Sequence, residues 1–228
     1  MFLLAQGFIR QGQRVITTTT TRIRVPSADQ SPACLCQDMV DSPLAVGQAL
    51  DRHGHVTVGS HLLAGDKLQG LTPQQLEKIL SSSTPDRMII EADGARSLSL
   101  KAPGANEPVV PAWTDLFIAM VGLDCLGRPL TEDFVFRPKS VAAITGLRQQ
   151  DPITPLALAR LAVHPQGMLK GCPPTARSCI FFNKAEDTNA CKSARQIIAA
   201  ANTLPGTRPD FWAYGSIKQN TCTVHPAA

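Results

Sequence analysis

Arg87-Met88-Ile89-Ile90-Glu91-Ala92-Asp93-Gly94 is the stretch whose reading decides the fold. Its apolar run, with two β-branched residues, reads as a short buried strand over Met88–Ile90. The strand runs straight into two carboxylates and an Asp-Gly pair. In open parallel sheets, ligands collect beyond the carboxyl ends of the strands. A buried strand that delivers an acid to that edge can serve Mg²⁺ or its water shell, so Glu91 and Asp93 are candidate metal ligands. A plain strand end, with Asp-Gly selected for the turn alone, accounts for the same residues. Lys101-Ala102-Pro103 and Glu107-Pro108 follow within a short loop that can bring a cation and a further carboxylate back over the site.

Working outward towards the N-terminus, Met1, Leu4, Ala5, Phe8 and Ile9 fall at helical spacing, and Gly12 is placed to end that helix. Arg14–Thr20 reads as a strand rich in β-branched residues. The threonine run of residues 17–21 suits a strand and its exit, but its hydroxyls can also face a metal or phosphate, with Thr18 the candidate. Val25–Ser42 reads as a loop, Leu44–Arg52 as a short helix and His55–Val58 as a strand. Thr72-Pro73-Gln74-Gln75 is a helix start with a capping box, and Leu76, Ile79 and Leu80 supply its buried face.

Towards the C-terminus, Asp115–Val121 reads as a strand ending in Gly122. Val141–Leu147 and Pro155–Val163 read as helices, the second capped by Thr154. Ser178–Phe182 is a further buried strand, Ala190–Ala201 a helix and Asp210–Tyr214 the final strand. Strands that alternate with helices predict an α/β fold: one domain over residues 1–228, with a mostly parallel sheet and helices on both faces.

Two strand exits carry further chemistry. Asn183-Lys184-Ala185-Glu186-Asp187 resembles the N-K-x-D element of GTPases, in which a carboxylate accepts the donors on the guanine edge while Asn and Lys hold the ring. Glu186 stands at the fourth position and Asp187 one residue later, so the reach differs and guanine specificity is not assured. The same residues also suit the N-cap of the next helix, through Asp187 or Thr188. Tyr214-Gly215-Ser216-Ile217-Lys218 falls where GTPases set a backbone loop against the base, which brings in Ser216.

Composition removes several classes. A chain of 228 residues, 43% hydrophobic and 18% charged, buries an ordinary core and is neither disordered nor fibrous. Its apolar runs fall far short of a membrane span. The net charge of +4 is scattered, with no basic stripe to suggest a nucleic-acid partner. Seven dispersed cysteines fit a reducing cytoplasm better than a disulfide framework. Cys34-Leu35-Cys36 lacks a second pair at zinc-site spacing. No Ser-His-Asp arrangement, H-E-x-x-H motif or histidine ligand spacing is legible. The phosphate-cradling G-x-x-x-x-G-K-[ST] loop is missing as well. Its nearest match, Gly7–Arg14, has Gln13 where the lysine belongs and ends a helix instead of opening one.

The order of these segments resembles the YqeC family. Arg14-Val15-Ile16-Thr17-Thr18-Thr19-Thr20, Glu91-Ala92-Asp93-Gly94-Ala95, Leu100-Lys101-Ala102-Pro103, Glu107-Pro108-Val109-Val110-Pro111 and Val121-Gly122-Leu123-Asp124 carry the likeness. Arg137-Pro138, Ile153-Thr154, His164-Pro165-Gln166-Gly167, Lys170-Gly171 and Asn183-Lys184 extend it to about residue 217. The resemblance implies a three-layer P-loop-NTPase-like sheet and an accessory role in maturing selenium-dependent molybdenum hydroxylases. It also implies Mg²⁺ with GTP or ATP, Lys101 near the phosphates, and Asn183, Lys184, Asp187 and Ser216 around the base. The expected partners are a nucleotide and a molybdenum hydroxylase or its cofactor-maturation proteins. A non-catalytic scaffold that binds the cofactor or the hydroxylase is the other reading.

Family members open with a strand and a G-x-G-G-K-T-T type loop. Here that strand and loop are absent, and Met1 falls inside the first helix, for which a start codon assigned too late or a cloned or degraded gene is the expected explanation, ahead of a natural loopless variant. Without the loop, NTPase activity is doubtful, nucleotide binding should be weak and the sheet should lose pairing. Phe136 also stands where a histidine commonly precedes Arg137-Pro138.

Overall fold

A computed structural model describes residues 1–36 and 42–227. The end of the expected Val25–Ser42 loop, residues 37–41, lies outside the described residues. The chain divides into two compact units, Met1–Gly94 and Ala95–Ala228.

The first unit runs α1 (Phe2–Ile9), β1 (Val15–Thr19), β2 (Arg22–Arg24), β3 (Cys34–Leu35), α2 (Pro43–His53), β4 (His55–Val58), β5 (Leu62–Leu63), β6 (Lys67–Gln69), α3 (Pro73–Ser83) and β7 (Arg87–Glu91). Its main sheet has the order β3-β4-β1-β7, with every pair parallel. β1 lies inside this sheet, and all five of its residues are buried. That position explains why β-branched residues dominate there: Val15 and Ile16 pack while the threonine hydroxyls satisfy themselves on neighbouring strands. β2, β6 and β5 form a small antiparallel sheet that the periodicity did not signal, because strands of two or three residues carry too few alternations to read.

α3 begins as its sequence predicts. The Thr72 hydroxyl accepts from Gln75 N at 3.2 Å, and Gln75 Oε1 accepts from Thr72 N at 2.9 Å. β7 departs from the expected buried strand: Met88, Ile89 and Ile90 are only half-buried, because β7 is the outer strand of its sheet.

The second unit holds β8 (Leu100–Lys101), β9 (Leu116–Gly122), β10 (Val135–Phe136), α4 (Pro138–Thr145), α5 (Pro155–Val163), β11 (Arg177–Asn183), α6 (Thr188–Thr203), β12 (Phe211–Ser216) and β13 (Thr221–Pro226). The sheet order is β13-β12-β11-β9. β9, β11 and β12 are parallel, and β13 returns antiparallel beside β12. Asp210–Tyr214 is therefore not the last strand. β13 escapes a pattern search because all six of its residues are exposed.

One face of this sheet carries the core. Ile180, Phe182 and Trp212 are fully buried, with the Phe182 and Trp212 rings stacked at 6.1 Å. α5 packs on α6, and Leu158, Leu161 and Ile197 close over the strands. α4 starts at Pro138, three residues before the expected Val141, because Pro at the first helical position needs no N–H partner. The architecture is thus the expected mixed α/β class with mostly parallel strands.

Candidate functional site

In the second unit, β9, β11 and β12 run parallel, so their carboxyl ends, at Gly122, Asn183 and Ser216, lie along one edge of the sheet. Gly122 is paired with Asn183 across that edge. Chain reversal follows at once on both strands, through a short 3-10 turn at Leu123–Cys125 and a left-handed residue at Lys184 (φ +63°).

Lys184 reaches back over the strand ends. Its ammonium donates to Asp124 Oδ2 at 2.7 Å and to Ser99 Oγ at 2.8 Å. Burial alone would push the Asp124 carboxyl up, but bonding to Lys184 and Ser99 outweighs it and holds the group below its ordinary value. Gly122 makes this contact possible. A Cβ there would stand 2.7 Å from Asp124 Oδ1 and 2.8 Å from Ser99 Oγ, so any side chain would displace the pair. Beside the cluster lies a cleft of about 220 Å³ lined by Ser97, Ser99, Asp124, Arg128, Asp133 and Lys184 among others. That is below the roughly 300 Å³ where pockets for drug-sized ligands begin, and suits a fragment the size of one ring or one phosphate.

The neighbouring motif residues are tied into the protein. Asn183 Oδ1 accepts from Ile217 N at 3.1 Å, which folds residues 216–220 back over the end of β11. Ser216, fully buried, donates to Glu186 Oε1 at 3.2 Å. Asp187 caps α6, its Oδ1 accepting from Ala190 N at 2.8 Å. The N-cap alternative raised by the sequence is therefore realised at Asp187.

Lys101 lies in a second cluster of the same unit, largely shielded at 12% side-chain exposure, with Nζ 3.6 Å from Glu107 Oε2. Within this loop the cation and the carboxylate face each other. The remaining candidates belong to the first unit. Glu91 ends β7, and its carbonyl accepts from Thr20 N and Thr19 Oγ1. Asp93 follows in the half-buried exit of the strand. Thr18 is fully buried and donates to Val58 O at 2.8 Å, so its hydroxyl is spent within the sheet. Among the described residues, no group of three or more His, Cys, Asp or Glu side chains is placed to hold a metal ion. Two carboxylates with water and phosphate remain a sufficient ligand set for Mg²⁺.

Ser99 and Asp124 are the site residues that motif reading missed. Asp124 sits two residues beyond the end of β9, and the rule that selected the exits of β7 and β11 would have found it.

Residues 1–139 match the family described as YqeC protein. The uncharacterized protein YqeC of Escherichia coli (strain K12) is 33% identical over 184 residues, which is 81% of this chain and 70% of that relative. The chain belongs to the YqeC family. No solved structure matches it. The matched span takes in the first unit together with Ser99, Lys101, Glu107, Asp124 and Arg137, whereas Asn183 and Lys184 lie beyond it. Among the described residues of this YqeC chain, no helix is long and apolar enough to cross a membrane.

Proposed function

We propose that this YqeC chain is a cytoplasmic, nucleotide-dependent accessory protein for the maturation of selenium-dependent molybdenum hydroxylases. The observation that carries the nucleotide reading is Lys184, held by Asp124 and Ser99 at the carboxyl end of β11, beside a cleft of ring size. Ligand sites in parallel sheets form at that edge. Asn183 and Lys184 would hold the base. Glu91 and Asp93 in the first unit would serve Mg²⁺. Seven free cysteines agree with a reducing compartment.

Titration calorimetry with GTP and with ATP, each with Mg²⁺, tests this reading. Binding of either nucleotide that Lys184→Ala weakens roughly tenfold, about 1.4 kcal/mol, supports it. Failure of both nucleotides to bind, even at millimolar concentrations that register weak affinity, sinks it.

A scaffold role is the second reading, and a specific observation favours it. Thr18, Asn183, Asp187 and Ser216 all spend polar atoms on the protein itself. A scaffold should co-purify with a molybdenum hydroxylase and lose nothing when Asp93 becomes Asn. A large loss of hydroxylase maturation in Asp93→Asn would exclude it.

A further inference from the structure

Around Phe136, at the end of β10, the second unit gathers cations from three segments. The Arg96 guanidinium lies 4.8 Å from the ring centroid, Arg137 4.7 Å and the Lys101 ammonium 5.4 Å. Glu107 Oε2 sits against Arg137 Nη1 at 2.6 Å and Lys101 Nζ at 3.6 Å. Lys170 donates to the carbonyls of Gly104 and Ala105 in the adjoining turn. A Cβ on Gly104 would stand 2.6 Å from Arg137 Nη1, so glycine there leaves the guanidinium its place.

Two features separate this cluster from a solvated charged surface. First, the backbone is strained where it supplies the guanidiniums: Arg96, Ser97 and Arg137 all have left-handed φ, at +51°, +65° and +62°. Each such non-glycine residue is strained, and strain of this kind recurs where side chains are aimed for a purpose. Second, an aromatic face holds a cation without using its N–H groups. Arg96 is exposed, with no hydrogen bond or ion pair to any described residue, so its planar fork of donors faces outward beside Lys101 and Arg137.

We propose that Arg96, Lys101 and Arg137 form an oxyanion site over Phe136 that takes a phosphate-class group. Guanidinium forks match the paired oxygens of such a group, and a shielded lysine adds a compact charge. The site goes beyond the nucleotide reading, because it needs neither a base nor a metal. Its ligand is free phosphate or the phosphate of a larger molecule.

The test is calorimetric titration of the full chain with inorganic phosphate and, separately, with methyl phosphate, at low and moderate salt. Wild-type protein should bind at least one of them in the millimolar range or tighter. Tighter binding of inorganic phosphate points to the free ion, and tighter binding of methyl phosphate to an ester. Arg96→Ala should weaken binding about tenfold or more without changing the melting temperature, because Arg96 is exposed. Arg96→Lys should restore only part, since an ammonium lacks the fork. Arg177→Ala, which removes the exposed cation over Phe211, should leave binding unchanged. No binding by wild type would overturn the proposal, and so would equal losses in Arg96→Ala and Arg177→Ala, the signature of bulk charge alone.

Discussion

His55 is 2% exposed, and its Nε2 lies 3.1 Å from Thr17 Oγ1, which in turn shares a hydrogen bond of 2.7 Å with Thr57 Oγ1. Burial pushes the imidazole below its ordinary pKa, so the folded protein keeps it neutral. The unfolded chain takes up a proton near pH 6.5 that the folded chain refuses. Stability is therefore fully present above about pH 6.5 and is lost as pH falls from there towards the lower folded value. The urea midpoint should hold between pH 8 and 7 and drop between 6.5 and 5. An unchanged slope in His55→Gln would show that another group is responsible.

Lys184 raises a different question at the same scale. Its partner Asp124 is 52% exposed and Lys184 itself 43%, so their ion pair contributes less than about 1 kcal/mol. The left-handed backbone at Lys184 costs about as much. Lys184→Gly should leave stability unchanged or raise it by up to about 1 kcal/mol. It should weaken nucleotide binding at the same time. If chemical denaturation shows the variant well below wild type, Lys184 is there for the fold and not for a ligand.

Elements carry their own ambiguity, and α6 holds the sharpest case. Asp187 was a candidate base ligand, and the structure makes it the N-cap of a 16-residue helix. Asp187→Ala should cost about 1 kcal/mol of stability and leave any preference between GTP and ATP unmoved. A changed preference with normal stability would return Asp187 to the base site. Most elements were legible because their signals are local: the capping box at Thr72, Pro at the starts of α3 and α5, and the β-branched run of β1. What stayed hidden depends on contacts distant in sequence. β13 is specified by pairing with β12 and not by burial, and β7 is half-buried through its place in the sheet. The site was legible to the same degree. Lys184 follows its strand directly, whereas Ser99 is 85 residues away and reaches the ammonium only once the sheet forms. Arg96 was invisible for another reason: the ring it covers belongs to a strand of two residues.

At the scale of the whole molecule, each compact unit has buried apolar residues of its own. Val15, Ile16, Leu50, Val56, Leu76 and Ile79 lie at 0–1% exposure in the first, and Leu130, Leu161, Ile180, Phe182 and Trp212 at 0% in the second. Both tryptophans, Trp113 and Trp212, fall in the second. Tryptophan emission therefore reports on residues 95–228 alone, while far-ultraviolet circular dichroism reports on helices and strands throughout. Leu50 sits in α2, which packs on α3. Leu50→Ala leaves a cavity worth about 2–5 kcal/mol in the first unit. If the two cores are separate cooperative blocks, that loss should shift the dichroism midpoint and broaden the transition while leaving the tryptophan midpoint in place. A tryptophan midpoint that moves with the dichroism would mean the chain unfolds as one block, and the two cores would then have to be treated as one. The reciprocal variant decides between partial and full coupling. Phe182→Ala removes the ring stacked on Trp212, so it should lower the tryptophan midpoint, and the extent to which the first unit follows measures how much stability the two cores share.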